Sequence, residues 1–257
     1  FSVDDSAAPL TAPRVGLYRS WVPSIDEGWT RWILEEFDFT YVRLENDAVR
    51  GGNLRDEYDV IILPAQLTLD QLVEGRAPGE IPEAYVGGIG DEGVDNLRQF
   101  VRDGGTLITL DSAGEVVLEH FDVPVTDALD GLSTDQFYCP GCIVRLSVDT
   151  DNSIGFGLDD EVAAKFSNSP GYLVDAESSS DVRILARYPS EGPLLMSGLI
   201  IGEEALRDKA AVVQIGYGNG SIIMLGFRVQ HRGQTHGTYK LLFNSIYSGA
   251  SGNNGQA

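Results

Sequence analysis

Two short segments rich in apolar and β-branched residues constrain the fold of this chain more than any other sequence feature. Val60–Leu63 is a continuous apolar run that ends at Pro64, and Thr106–Leu110, which predicts the next buried strand, follows the Gly104–Gly105 pair. Continuous apolar runs such as Val60–Leu63 are typical of parallel strands that are covered on both faces. The sequence therefore predicts a central sheet with helices on both sides.

Amphipathic helices alternate with such strands along the first half of the chain. Strands are predicted at 14–18, 39–44, 59–64 and 106–110, and helices at 27–37 and 94–102. In the first helix, Trp29, Trp32, Ile33 and Phe37 form a stripe that we expect to face the sheet rather than to stack a ligand. This β-α-β-α order predicts a doubly wound, mostly parallel α/β sheet.

The second half contains more strands and a hairpin. Strands are predicted at 142–148, 182–188 and 210–215, and Gly218-Asn219-Gly220 predicts a turn between 212–217 and 221–227. We expect this antiparallel hairpin to extend the sheet at its edge, and a helix at 238–247 to close the fold. Residues 64–93 are glycine-rich and predict a lid, a binding loop or a packing surface. The predicted organisation is an N-terminal arm at 1–13, one domain at 14–247 and a Ser/Gly/Asn-rich tail at 248–257.

The charge balance excludes one class of partner. The chain has 18 Lys and Arg against 39 Asp and Glu, a net charge of −21, so nucleic-acid binding is not expected. Only three of the basic residues are Lys, which is typical of acidic proteins from saline or extracellular settings; genomic base composition is the alternative explanation. No apolar run approaches the roughly 18 residues that span a bilayer. We therefore expect an extracellular or secreted, halophilic protein without a membrane span.

The two cysteines lie in a Cys-Pro-Gly-Cys segment, Cys139 to Cys142. The spacing matches thiol–disulfide motifs, but a strand rather than a helix is predicted after the pair, which argues against redox catalysis. Buried thiols or one local disulfide are the alternatives. Two cysteines cannot complete a four-ligand zinc site, and His231 with His236 would need carboxylates from elsewhere. Neither a metal site nor a cofactor is predicted.

Several segments together resemble a known family. They resemble the region C-terminal to the catalytic domain in large bacterial secreted zinc carboxypeptidases, which are carboxypeptidase A-like metallopeptidases. The resemblance covers about residues 14–247, and it is carried by RVGLYRSWVPSIDEGWTR (14–31), DVIILP (59–64), YVGGIG (85–90), GGTLITLD (104–111), FYCPG (137–141), ARYP (186–189), SGLIIGE (197–203) and GFRVQHRGQTHGTYKLLFN (226–244). It implies a class I glutamine amidotransferase-like, flavodoxin-like domain.

The resemblance does not bring a catalytic centre with it. The peptidase binds zinc through His-x-x-Glu, and none of the three histidines here stands three residues before a Glu. An amidotransferase-like fold would carry its nucleophile just after the strand 106–110, where no cysteine is present. Ser112, Cys139 and His231 are weak catalytic candidates; alternatively, Ser112 caps the following helix.

Charged residues are expected to gather at the carboxyl ends of the strands, where ligands bind in open α/β sheets. A carboxylate or phosphate is the expected ligand, because Arg side chains suit both. The alternative is that Arg228 and Arg232 pair internally with Asp26, Glu27 or Asp111. The candidate ligand-binding residues are Asp26, Glu27, Asp111, Arg228, His231, Arg232, Gln234 and His236.

Three functions remain open on the sequence. The first is a non-catalytic accessory domain released or excised from a secreted zinc carboxypeptidase, since Phe1 is not an initiator Met and the parent peptidase domain is missing. The second is an extracellular structural subunit whose segments 1–11 and 248–257 pack against neighbouring copies to form a homopolymer or filament. The third is a small-molecule hydrolase or amidotransferase that uses Ser112 or Cys139.

Overall fold

The computed structural model describes residues 11–65, 68–175 and 181–250. Within these ranges, twelve strands join into one sheet. The strands are β1 (Val15–Arg19), β2 (Val42–Glu45), β3 (Val60–Leu63), β4 (Thr106–Leu110), β5 (Val125–Asp127), β6 (Cys142–Val148), β7 (Glu161–Phe166), β8 (Tyr172–Val174), β9 (Val182–Arg187), β10 (Leu195–Ser197), β11 (Ala210–Tyr217) and β12 (Gly220–Leu225). The helices are α1 (Ile25–Glu36), α2 (Asn46–Gly51), α3 (Leu54–Glu57), α4 (Leu69–Val73), α5 (Gly90–Arg102), α6 (Glu115–His120) and α7 (Tyr239–Ala250).

Five strands form a parallel unit in the order β2-β1-β3-β4-β12. Strands β3 and β4 are buried along their whole length, because helices cover both faces of the unit. This is the strand order of flavodoxin-like folds, in which ligands bind beyond the carboxyl ends of the strands. The predicted doubly wound, mostly parallel α/β fold is confirmed.

The hairpin lies inside the sheet, not at its edge as the sequence analysis expected. Strand β12 pairs in parallel with β4, while β11 pairs antiparallel with both β12 and β9. Strand β11 suits an interior position in the sheet, because its residues Ala210–Val213 are all buried. The antiparallel part continues through β9 to β6, which also pairs with β7 and β10.

Helix α1 presents a different face to the sheet from the one predicted. Its buried apolar residues are Ile33 and Leu34, whereas Trp32 is 43% exposed and Phe37, just past the helix, is 50% exposed. The helix begins at the Ser24 N-cap, whose hydroxyl accepts from the Glu27 N–H at 3.2 Å. The predicted aromatic stripe was therefore wrong for Trp32 and Phe37, because the helix turns Ile33 and Leu34 inward.

The glycine-rich stretch after β3 is a packed surface with short helices rather than an open loop. Its described part contains α4 and a single 3-10 turn at Glu83–Tyr85. Asn46 fixes it to the sheet, since its amide donates to the Gly87 carbonyl at 3.1 Å and accepts from the Tyr18 hydroxyl at 2.8 Å.

The carboxyl-terminal helix runs three residues further than predicted. Helix α7 ends at Ala250, so residues 248–250 of the predicted tail are helical, and Gly249 packs against Val60 and Thr106. The remainder of that tail and residues 1–10 of the predicted arm lie outside the described residues. Among the helices that the structure describes, none is long and apolar enough to cross a membrane.

Candidate functional site

Three parallel strands deliver charged side chains to one point at their carboxyl ends. Asp26 lies in the first turn of α1 beyond β1, Asp111 follows β4 directly, and Arg228 lies three residues beyond β12. Arg228 Nη1 is 3.2 Å from Asp26 Oδ2, and its Nε is 3.2 Å from Asp111 Oδ2. One guanidinium thus joins two carboxylates, which is the internal pairing that the sequence left as an alternative for Arg228.

Asp111 occupies the sharp turn after the central strand. Its backbone is left-handed, with φ at +52°, and a 3-10 turn at Asp111–Gly114 leads into α6. A side chain other than glycine adopts this conformation at a cost, so the turn is a constrained one. This is the strand-turn-helix arrangement in which a nucleophile is expected. The residue at that turn is Asp111.

Ser112 lies one position further on, inside the 3-10 turn, and it is partly buried. Its carbonyl oxygen accepts a hydrogen bond from the Glu115 N–H, and Gly114 occupies the N-cap position of α6. The helix-cap alternative for Ser112 was therefore wrong, because the 3-10 turn displaces the start of the helix by two residues.

The two carboxylates are held in poorly hydrated surroundings. Asp111 is only 3% exposed, and burial raises its pKa against the opposing influence of Ser169 and Arg228. Burial also raises the pKa of Asp26, although Arg228, His231 and Arg232 oppose the shift. Arg228 is the ion-pair partner that both acids share within the described residues, so removing it would leave two desolvated charges without that partner.

Little space remains between these groups. The cavity lined by Asp26, Asp111, Arg228 and Gln230 has a volume of about 10 Å³, room for about one water molecule. The Gln230 amide donates to the Asp26 carbonyl at 3.2 Å and to Thr30 Oγ1 at 3.3 Å. Oε1 of Gln230 and Oε1 of Glu27 are both buried, and neither has a hydrogen-bond partner among the described residues. This is a tight polar network rather than an open substrate cavity.

The structure adds a lysine that sequence reasoning missed. Lys165 of β7 forms a backbone bridge with Arg228, whose N–H donates to the Lys165 carbonyl at 3.0 Å. Burial, and then the nearby Arg228, lower the pKa of Lys165; burial, and then Lys165, lower the pKa of His231. Nothing in the sequence pointed to this contact, because β7 was not predicted and lies far from Arg228 along the chain.

The remaining predicted ligand residues form a turn beside the network. Arg232 has a left-handed backbone with φ at +55°, and the Gln234 N–H donates to the His231 carbonyl at 3.1 Å. His236 stacks on Tyr239 with a ring separation of 5.2 Å and bonds to the Gly233 carbonyl. Within the described residues, the side chains of Gln234 and His236 do not bond to the Asp26–Arg228–Asp111 cluster.

Cys139 and Cys142 form a disulfide, the local bridge that the sequence left as one alternative. Both residues are buried, so Cys139 offers no thiol as a nucleophile. No group of three or more His, Cys, Asp or Glu side chains in the described part of the chain is arranged to hold a metal ion.

Similarity to known proteins is confined to structure. No protein-family profile matches the chain, and no curated protein matches it in sequence. Among solved structures, it is similar to PurLQS from Thermotoga maritima, with a TM-score of 0.58 and 16% identity over 93% of this chain and 99% of that one. It is also similar to a ThuA-like protein from Bacteroides uniformis, with a TM-score of 0.51 and 15% identity over 96% and 95% of the two chains.

A third similar structure belongs to a larger protein. The chain aligns with a β-galactosidase from Bacillus circulans sp. alkalophilus at a TM-score of 0.51 and 11% identity, over 91% of this chain and 30% of that one. At these identities the comparisons show the fold alone. The fold is that of class I glutamine amidotransferase-like domains.

Proposed function

We propose that the chain is a non-catalytic, amidotransferase-like accessory domain of a larger secreted hydrolase, with a zinc carboxypeptidase as the parent that the sequence resemblance implies. The observation that carries this proposal is the residue at the turn after β4. A nucleophile there must be exposed to substrate, whereas Asp111 is buried and ion-paired with Arg228. The sharp turn after β4 is present, but its Asp111 side chain accepts a hydrogen bond from Arg228 instead of facing a substrate.

Two further features support the absence of glutaminase chemistry. Both cysteines are joined in a buried disulfide, so neither is a free thiol. The space beside Asp111 holds about one water molecule, which is far below the volume of a glutamine side chain. The accessory role is supported by the β-galactosidase, in which the similar fold makes up only part of a larger chain.

Turnover assays test the proposal. We expect the purified chain to release no ammonia from glutamine and to cleave neither peptides nor a p-nitrophenyl ester, and Ser112→Ala and Asp111→Asn to leave these background rates unchanged. The exposed Ser197→Ala is the matched control for Ser112→Ala. Turnover that Ser112→Ala or Asp111→Asn abolishes and Ser197→Ala preserves would overturn the non-catalytic assignment.

The parent protein is tested separately. Peptide mapping of the native protein from its source should recover the chain joined to, or cut from, a segment that contains His-x-x-Glu. Recovery of the chain as an independent product without such a segment would contradict the accessory role.

A second candidate function, a self-assembling subunit, is favoured by one surface. Residues 193–202 contain no charged side chain, and three of them, Met196, Leu199 and Ile201, are exposed by 42–56%. Strand β10 in this segment pairs only with β6 among the described strands, so one of its edges is open. An open edge with apolar neighbours is a template for pairing with another chain.

A further inference from the structure

We propose that Lys165, Arg228, His231 and Arg232 form a binding site for a small oxyanion, a carboxylate or phosphate group, at the carboxyl ends of the parallel strands. This site goes beyond the accessory role, since it requires no turnover and no parent protein. Lys165, Arg228 and Arg232 carry the positive charge and His231 contributes its ring nitrogens; the four residues are called the cationic rim below.

Two elements build the cationic rim. The end of β7 supplies Lys165, and the segment after β12 supplies the other three residues. The backbone bridge between Lys165 and Arg228 fixes these two elements side by side. Arg228 directs Nε and Nη1 to Asp111 and Asp26, while its Nη2 forms no hydrogen bond within the described residues. Nε and Nη1 of Arg228 thus face carboxylates, and Nη2 is left as a donor without a hydrogen bond within the described residues.

Two cations of the rim lack a counterion, whereas many arginines of this chain are paired with carboxylates, as Arg14 is with Asp59 and Arg207 with Glu203. Acidic residues outnumber basic ones by 39 to 18, yet neither Lys165 nor Arg232 forms an ion pair within the part of the chain that the structure describes. Like charges held together attract anions, and the three cations Lys165, Arg228 and Arg232 exceed the two carboxylates Asp26 and Asp111 by one charge.

The rim is also held in place. Arg232 keeps a left-handed backbone, and the adjacent Gly233 lies against the Trp32 ring, so that a Cβ there would be 3.1 Å from the ring. Burial and the nearby cations Lys165, Arg228 and Arg232 lower the pKa of His231, and Asp26 is the one carboxylate that opposes them.

An oxyanion fits this arrangement better than other ligands. Lys and Arg donors at a site with backbone rigidity suit carboxylate and phosphate oxygens, which accept several charge-assisted hydrogen bonds. A cation would meet uncompensated positive charge. A nucleic-acid backbone would meet the repulsion of a chain with a net charge of −21.

Calorimetric titration tests the site on the full chain, with succinate and inorganic phosphate as separate probes at low ionic strength. We expect at least one probe to bind with one-to-one stoichiometry, and Lys165→Gln and Arg232→Gln each to weaken binding by about 10-fold, the loss of one charge-assisted hydrogen bond. Preference for succinate identifies a carboxylate ligand, and preference for phosphate identifies a phosphate ligand.

Matched controls remove the same charge elsewhere. Lys240 and Arg43 are exposed and lie outside the rim, so Lys240→Gln and Arg43→Gln should change the affinity less than two-fold. In addition, the saturating probe should raise the pKa of His231, which is followed by its ring proton signals in NMR.

The proposal fails if neither probe binds, or if the control variants weaken binding as much as the rim variants do. It also fails if bound probe leaves the His231 titration unchanged. None of these readouts depends on turnover, so the non-catalytic assignment can fail while the anion site stands, and the reverse.

Discussion

Arg228 neutralises two acids that burial makes costly, and this gives the first prediction. Replacing Arg228 with Met keeps the volume but leaves Asp26 and Asp111 without their cation. We expect Arg228→Met to lower the free energy of unfolding by about 2 kcal/mol at pH 7, measured by urea denaturation. The matched control Arg232→Met, which removes a cation that bonds to neither acid, should cost less than about 0.5 kcal/mol.

The pH dependence of that variant follows from the two raised pKa values. A carboxyl whose folded pKa lies above its unfolded value of about 3.9 weakens the fold above the folded pKa, and this effect vanishes below the unfolded pKa. Losing Arg228 raises both folded pKa values further. The deficit of Arg228→Met should therefore shrink as the pH falls toward 4, and a deficit that is constant from pH 7 to pH 4 would contradict the ion-pair explanation.

Asp59 differs from Asp26 and Asp111, because its pKa in the folded protein is lowered rather than raised. The Arg14 N–H and Nη2 each donate to its carboxylate at 2.9 Å, and Arg55 Nη1 donates at 2.7 Å. These bonds hold the pKa of Asp59 well below its usual range. Its stabilising contribution is thus complete above the unfolded pKa near 4 and is lost as the pH falls toward the folded pKa.

Asp59→Asn should lower the free energy of unfolding by about 2 kcal/mol at pH 7, because charged acceptor bonds are replaced by weaker ones. The difference in the free energy of unfolding between Asp59→Asn and the unsubstituted chain should narrow when unfolding is measured below pH 4. The control is Asp95→Asn, since the exposed Asp95–Arg98 pair should contribute less than 1 kcal/mol. Equal effects of the two substitutions at pH 7 would count against the Arg14–Asp59–Arg55 network.

At the residue scale, the sequence predicted the members of the central network and offered the pairing of Arg228 with Asp26 and Asp111 as one of two alternatives. Asp26, Asp111 and Arg228 were recognisable because each follows a strand of the parallel unit, and such ends meet at one edge of a sheet. Lys165 escaped prediction because its contact depends on the path of β7. The sequence named Ser112 as the weak catalytic candidate after the strand 106–110, since only the backbone angles reveal that Asp111 makes the sharp turn.

At the element scale, strands buried on both faces were the most predictable and short strands the least. Strand β3 is an unbroken apolar run and β4 combines apolar residues with β-branched Thr, whereas β5, β8 and β10 have three residues each and no distinct pattern. The face of α1 was predicted wrongly because Trp and Phe were counted as buried by hydrophobicity alone. The helix instead buries the smaller Thr30 together with Ile33 and Leu34.

The prediction at the element scale concerns the last turn of helix α7, which packs closely against the sheet although the sequence predicted a tail there. A Cβ at Gly249 would lie 2.4 Å from Val60 Cγ2 and 3.1 Å from Thr106 Cβ, too close for the closed helix-sheet contact. Gly249→Ala should therefore lower the free energy of unfolding by about 2 kcal/mol through overpacking, measured by thermal or urea denaturation.

Gly28 of α1 is the matched helical glycine. Nothing lies within 4 Å of a Cβ placed there, so Gly28→Ala should raise the free energy of unfolding by about 0.5–1 kcal/mol. If Gly249→Ala also stabilised the protein, the last turn of α7 would not be docked on β3 and β4.

At the scale of the whole molecule, net charge and the uncharged segment 193–202 act against each other. A net charge of −21 on each copy opposes association, and this repulsion reaches about 10 Å at 0.1 M salt but only about 3 Å at 1 M. The exposed Met196, Leu199 and Ile201 favour association without placing carboxylates in the contact. Assembly through β10 should therefore strengthen with salt, unlike assembly held by ion pairs.

Sedimentation velocity at 0.05 M and 1 M NaCl measures this directly. We expect the fraction of dimers or larger species to rise with salt, and Leu199→Glu to reduce association by about 10-fold, because it places a carboxylate beside the open edge of β10. Leu173→Glu is the matched control, since Leu173 is 52% exposed on β8 and lies outside the segment.

A chain limited to residues 12–250 separates the two sources of contact. If it associates like the full chain, the edge of β10 suffices; if only the full chain associates, the terminal segments that the sequence analysis singled out are required. A single monomeric species at both salt concentrations, or equal effects of Leu199→Glu and Leu173→Glu, would contradict assembly through β10.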